Sequence, residues 1–338
     1  MNVLVTGGAG YIGSILSRIL LEKGYNVTIL DRLFFGSDSI AEISDQITIL
    51  KDDIRFFNPR ILERIDVIFD LASLSNDPCG ELDPQKTLEI NYTGRVRVAN
   101  LAKKKGVKKY VLASTCSVYG FQEGIITEKS DLNPLTTYAK ASLLAEKEIL
   151  PLSDSSFSPT VLRQATVYGF SHRMRFDLAI NGMVLGFYKN GKIPIMRTGK
   201  QWRPFINVRD TSNAFLKIID SEDYLVNGQI FNTGSNEQNI QIFDLAKLVA
   251  ESIEIPFNYE WYGDPDERSY RVDFTKIKDT LNFKPCVSIE KGAKTVFNAL
   301  NEGKLNPDDP RMITVKWYKH LLNMKEFLRE IELNGEIL

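Results

Sequence analysis

The apolar run Val3-Leu4-Val5-Thr6 leads into a loop with glycines at 7, 10 and 13. That loop opens directly into a helix pattern with Ile12, Ile15, Leu16, Ile19 and Leu20 on one face. No other stretch restricts the fold as much. A chain turns sharply from strand to helix, and approaches a pyrophosphate closely, only where no Cβ intervenes. The helix N-terminus then presents free N–H groups and a positive dipole end to the anion. A second apolar run, Val27–Leu30, ends in Asp31, eighteen positions beyond Gly13. A carboxylate near that spacing, about 20, accepts from a ribose 2′-OH. Strand, glycine loop, helix and acid-tipped strand together predict one half of a dinucleotide-binding unit.

Charge excludes several other classes. The chain has 338 residues with 42 Lys and Arg against 43 Asp and Glu, a net charge of −1. No large cationic face is predicted, and neither nucleic acid nor a membrane surface is an expected partner. Lys103-Lys104-Lys105 and Lys108-Lys109 read as the solvated end of a helix. Cys79, Cys116 and Cys286 are odd in number and far apart, so a disulfide framework is not expected and a reducing, cytoplasmic setting is. The first residues read as a core strand rather than a secretory leader, and no 18-residue apolar run occurs. His172 and His320 have no neighbouring ligand types, and no metal site is expected.

Short apolar runs recur at Val27–Leu30, Ile47–Leu50, Val67–Leu71, Tyr110–Ala113 and Thr160–Leu162, with helical patterns near Ile12–Lys23, Lys86–Lys105 and Tyr138–Leu150 between them. This alternation predicts an α/β fold, a doubly wound parallel sheet covered by helices on both faces. Beyond about residue 165 the rhythm loosens, with a strand-like Phe205–Val208 and helices near Asp210–Ile219 and 241–254. The reading is a Rossmann-type domain over 1–165 and a smaller C-terminal substrate lobe over 166–338, some of whose elements return to the main sheet. In the tail, Ile313, Trp317, Leu321, Met324 and Leu328 form one helical stripe, read as packing or a subunit contact.

The fifth strand ends Ser114-Thr115-Cys116-Ser117, a hydroxyl cluster where open α/β sheets bind ligands. Tyr138-Ala139-Lys140-Ala141-Ser142 opens a later helix. With these in place the sequence resembles the extended short-chain dehydrogenase/reductase superfamily, in its nucleotide-sugar epimerase/dehydratase branch. The resemblance covers nearly the whole chain. It includes Thr6–Gly13, Asp53-Ile54-Arg55, Asp70–Ser73, Asn91–Gly94, Ser117–Gly120, Leu162-Arg163, Val167-Tyr168-Gly169 and Trp202–Asp210.

The resemblance implies NAD as cofactor, a nucleotide-diphosphate sugar as substrate and a homodimer built on helices 86–105 and 138–150. It implies that Tyr138 takes a proton from a sugar hydroxyl, that of C4, while Thr115 holds the same oxygen. The implied cofactor contacts are Gly7, Gly10, Tyr11, Ile12, Asp31, Arg32, Asp53, Ile54, Leu71, Ala72, Ser73, Asn91, Ser114 and Tyr138. Beyond Thr115, the implied substrate contacts are Asn181, Arg203 and Arg268, with arginines suited to a diphosphate by their forked donors. Asp31 favours NAD over NADP, and Arg32 beside it weakens that preference.

Two departures bear on the reaction. A phenol of pKa near 10 is a poor base at neutral pH, and the family lowers it with a lysine four residues on. Position 142 is Ser, and Lys140 points roughly 200° away, at about 100° per residue. Either the cofactor's charge suffices, or a cation remote in sequence enters the site, or the protein binds NAD with little turnover. Dehydratases of the branch carry an acid just after the Ser/Thr, where this chain has Cys116 and Ser117, so dehydration is disfavoured. An epimerase working through a transient 4-keto sugar is the favoured reading, with a net dehydrogenase or 4-ketoreductase as the alternative.

Overall fold

In the computed structural model, which describes residues 1–266, 268–333 and 335–336, the apolar runs of the first half become strands β1 Asn2–Thr6, β2 Asn26–Asp31, β3 Thr48–Lys51, β4 Val67–Asp70, β5 Lys109–Thr115 and β6 Ser158–Gln164. A further strand, β7 Gln229–Thr233, joins them. All seven run parallel in the order β7-β6-β5-β4-β1-β2-β3. The order reverses between β1 and β4, and that switch point opens a crevice beyond the carboxyl ends of the strands.

Among the described residues, eight longer helices accompany the strands. They are α1 Tyr11–Glu22, α2 Arg95–Lys104, α3 Thr137–Ile149, α4 Ala179–Asn190, α5 Val208–Asp220, α6 Ile242–Ser252, α7 Ile289–Asn301 and α8 Thr314–Ile331. Alternate residues of each strand face opposite layers. Val3, Val5, Val27, Ile29 and Phe69 pack on Leu16 and Leu20 of α1 and on Ala214 and Phe215 of α5. Leu4, Leu30, Ile68, Tyr110 and Leu112 pack on Val98 and Ala102 of α2 and on Ala145 and Ile149 of α3. Burial on both faces is why these strands read as continuous apolar runs rather than alternating ones.

A second core joins α4, α6 and α7 through Ile180, Val184, Leu245, Val249, Val296 and Leu300, beneath Ile193, Ile195 and Phe205. Strand Trp202–Asn207 pairs with Thr166–Tyr168 on one side and Asn239–Gln241 on the other. The Tyr11 ring belongs to this second core, so α1 links the two parts.

One expectation needs correction. The helix read over 86–105 is a short helix Pro84–Leu88, a π-helical turn Glu89–Gly94, and α2. One extra residue in a turn leaves local composition unchanged, so periodicity does not reveal it. The apolar stripe of the tail is half-buried at Ile313, Trp317 and Leu321 and exposed at Met324 and Leu328, 43% and 36%, with Thr314 the buried residue of α8. Only its first turns dock, where Trp317 Nε1 donates to Phe34 O at 2.6 Å and Tyr318 packs edge-on against Phe34 and Phe35. No helix among the described residues is long and apolar enough to cross a membrane.

Candidate active site

The crevice at the switch point is a single long cavity whose wall runs from Gly7, Gly10, Tyr11 and Ile12 past Asp31 and Asp53 to Thr115 and Tyr138. Its floor depends on two glycines. Gly7 has φ +69°, and a Cβ there would lie 2.9 Å from Ala72 N; a Cβ at Gly13 would lie 2.3 Å from Gly7 O. No side chain caps α1 at Gly10, which leaves the first-turn N–H groups directed at the cavity. The ends of β1 and β4 are tied together: Thr6 Oγ1 donates to buried Asp70 at 2.6 Å and accepts from Leu71 N and Ala72 N at 3.2 Å.

At the next station, Asp31 accepts from Ala9 N at 3.0 Å and Leu33 N at 2.8 Å. Burial raises its pKa, opposed by those N–H groups and by Arg173. Arg32 is turned away to Asp53, 2.5 Å from Oδ2, with its guanidinium over the Phe34 ring. Burial alone would raise the Asp53 carboxyl, but Arg55 and Arg32 hold it at about 2. Ile54, Leu71, Ala72 and Ser73 complete this stretch. A bare helix N-terminus, a floor that excludes any Cβ and a buried carboxylate one strand over fit NAD.

At the other end, α3 carries Tyr138 in its first turn. Thr136 caps that helix, accepting from Ala139 N at 3.2 Å, and donates to Asp77 Oδ1 at 2.5 Å. Farther along α3, Glu146 forms a buried ion pair with Arg163 of β6 (Nη2 to Oε2, 2.6 Å) and accepts from the Ser114 hydroxyl. Helix α3 is thereby pinned to β5 and β6, which positions Tyr138 against Thr115 at the tip of β5. Burial pushes the Tyr138 phenol up; Arg95, the Thr115 hydroxyl and Arg175 favour its ionised form, and Asp77 opposes them. Ser142 is buried and donates to Tyr138 O at 2.9 Å, while Lys140 is exposed. Neither substitutes for the family lysine.

Several expected contacts lie elsewhere. Asn91 is buried behind the wall, accepting from Leu74 N at 2.8 Å and donating to Leu74 O at 3.1 Å, so it shapes loop 73–75 rather than facing the cavity. Asn181 is fully buried, bonded to the backbone of Gly169 and Arg175 and to the Tyr11 hydroxyl, which leaves its amide no capacity for a ligand. Ser114 lines the cavity, but its hydroxyl is committed to Glu146.

Arg203 and Arg268 come together as expected, yet outside the wall. Arg203 Nη2 lies 2.6 Å from Asp266, Arg268 grips the same carboxylate at 2.8 and 2.9 Å, and Arg268 also pairs with Asp77. Cys116 is a core residue whose Sγ donates to Arg163 O at 3.3 Å, its thiol pushed up by burial. Sequence reasoning missed Asp77 and Arg95. The motif reading stopped at Gly94, one residue short of the arginine.

Residues 3–234 match the model of the NAD-dependent epimerase/dehydratase family. The chain is 30% identical over 310 residues to a UDP-glucose 4-epimerase of Lactobacillus helveticus, covering 84% of this chain and 92% of that protein. It is 29% identical over 319 residues to a UDP-N-acetyl-alpha-D-glucosaminuronate decarboxylase of Bacillus cytotoxicus, covering 88% and 97%. The solved structure of MoeE5 in complex with UDP-glucuronic acid and NAD superimposes with a TM-score of 0.79 at 25% identity, over 90% of this chain and 100% of that one. By its matched motifs, its sheet order and the cavity they build, the chain belongs to the NAD-dependent epimerase/dehydratase family of enzymes.

Proposed function

We propose that this enzyme epimerises a nucleotide-diphosphate sugar at C4 through a transient 4-keto sugar. The observation that carries the reading is the meeting of Thr115 and Tyr138, from separate elements, in the cavity that the glycine loop opens. Gly7, Gly10 and Asp31 would hold NAD, which would supply reversible hydride acceptance. Tyr138 takes the hydroxyl proton as the C–H bond breaks and returns it when the carbonyl is reduced. Thr115 holds the reacting oxygen, its own Oγ1 oriented by the Ser117 N–H at 3.1 Å. Arg203 and Arg268, gathered by Asp266 and tied to the cavity-wall residue Asp77, are the guanidiniums we assign to the substrate diphosphate.

Dehydration is disfavoured because Cys116 is sealed in the core and Ser117 is no acid at neutral pH. The relatives include an epimerase and a decarboxylase, so the experiment separates these outcomes. The protein is incubated with NAD⁺ and UDP-glucose, UDP-glucuronic acid or UDP-N-acetylglucosaminuronic acid, and products are followed by NMR alongside NADH absorbance. The expected result is a C4 epimer without net NADH, lost in Tyr138→Phe by roughly 10²- to 10⁴-fold. Carbon dioxide release or accumulating NADH redirects the assignment to a decarboxylase or a net dehydrogenase. No turnover of any sugar, with wild type and Tyr138→Phe alike, refutes an enzyme of this substrate class.

A further inference from the structure

The position that should hold a lysine beside Tyr138 holds a serine bonded to the backbone, and a cation enters the same wall from another helix. The π-helical turn Glu89–Gly94 ends at Gly94, where a Cβ would lie 3.1 Å from Glu89 O and from Ile54 Cδ1. The extra residue of such a turn rotates the downstream side chains by about 100° relative to a straight α-helix, and Arg95 is the next residue. Its side chain is 2% exposed. Nε donates to Ala72 O and Nη1 to Ala113 O, both at 3.0 Å. The guanidinium is thus clamped across the ends of β4 and β5, in the wall it shares with Ser73, Thr115 and Tyr138. Among the described residues it has no carboxylate partner.

We propose that Arg95 replaces the missing lysine, acting through Tyr138 as the positioning residue whose fixed charge favours the phenolate. The proposal rests on the reading of Tyr138 as the base. The groups facing the phenol are few. Asp77, from the short helix Asp77–Gly80, works against ionisation; Thr115 at the tip of β5 and Arg175 from the loop before α4 work for it. Burial pushes the phenol up, and Arg95 is the foremost of the groups that oppose that push. Arg175 is the weaker candidate because its charge is already neutralised by Asp177, 2.7 Å away and equally buried. An arginine also stays protonated at every working pH, so it holds a constant field where a lysine in the same cavity would titrate.

The test reads the Tyr138 phenol itself, in NAD⁺-bound protein without sugar, as the phenolate absorbance that Tyr138→Phe removes. The wild type sets the reference for this titration, with burial raising the phenol and Arg95 opposing that rise. Arg95→Ala should ionise at least about one unit higher, tenfold less phenolate at a given pH. The double variant R95A/S142K, with a lysine one helical turn beyond Tyr138, should recover most of that shift. A merely structural Arg95 would lower the unfolding midpoint and leave the titration where it was.

Where Arg95→Ala does not fold, Arg95→Gln, which removes the charge and keeps an amide donor, is titrated in its place, and a phenol that ionises with the wild type overturns the proposal. So does an Arg95→Ala titration that coincides with the wild type, or a shift that S142K leaves in place. Because no sugar is present, the outcome is independent of substrate identity. A phenol that moves as expected, in a protein that turns over no nucleotide sugar, keeps Arg95 and discards the epimerase reading.

Discussion

Replacing Glu146 by Ala is expected to be among the most damaging single changes in the molecule. Glu146 and Arg163 side chains are each 2% exposed; Nε lies 3.1 and 3.2 Å from the two carboxylate oxygens and Nη2 lies 2.6 Å from Oε2. Removing one partner strands a guanidinium in the interior, which costs about 3–5 kcal/mol. The Ser114 hydroxyl loses its acceptor as well, worth about 1 kcal/mol. The expected loss is therefore about 4–6 kcal/mol by urea unfolding. Arg163→Met combined with Glu146→Leu should recover most of it, since apolar replacements of a buried pair are often neutral. The recovered protein should still turn over more slowly, because the pin that sets Tyr138 against Thr115 is gone. A Glu146→Ala loss below about 1 kcal/mol, the range of exposed pairs, would refute the reasoning. A double variant no better than the single one would refute it too, showing that packing rather than the stranded charge carries the effect.

Three further outcomes rest on named contacts. Gly13→Ala places a methyl 2.3 Å from Gly7 O and 2.6 Å from Gly8 Cα, so the backbone of the floor must move; NAD binding by calorimetry should weaken at least tenfold and the unfolding midpoint should fall. Asp53 is held at about 2 by Arg55 and Arg32, below the unfolded value of about 3.9. Its stabilisation is therefore present above pH ~4 and lost as pH falls through about 2. Asp53→Asn should flatten the acid limb of urea-unfolding midpoints in that window and not above it. Arg173 is buried with Nε unpartnered, and burial lowers its pKa to about 10. In Arg173→Met the NAD-free protein should be at least as stable as wild type, and the rise in thermal midpoint on adding NAD should shrink.

The strand–helix alternation was readable because parallel strands buried on both faces leave unbroken apolar runs, and the glycine loop because its geometry excludes side chains. Both signals are local. Thr115 and Tyr138, named through motif resemblance, are brought to one cavity by the fold. What escaped was decided at long range. Asn181 and Asn91 look like ligand contacts in sequence, but each closes a backbone loop that only the folded chain brings within reach. Arg203 and Arg268 are bound to Asp266, and Arg268 also to Asp77, 191 residues away. Arg95 escaped because a π turn is invisible to periodicity and its anchors are carbonyls on two separate strands.

The four arginines of the cavity wall explain why the last of these residues had no signature. Arg32 pairs with Asp53 and Arg175 with Asp177. Arg95 and Arg173 have no carboxylate partner among the described residues, and both are buried. A buried, unpaired guanidinium is unfavourable in a chain considered alone, yet two stand in one cavity. Arg173 acts on Asp31 with its guanidinium over the Phe35 ring, and Arg95 acts on Tyr138. Patterns within a sequence report partners that the chain itself contains. The partner proposed for Arg95 is a charge that Tyr138 carries only when it works, so it could not be read from residues alone.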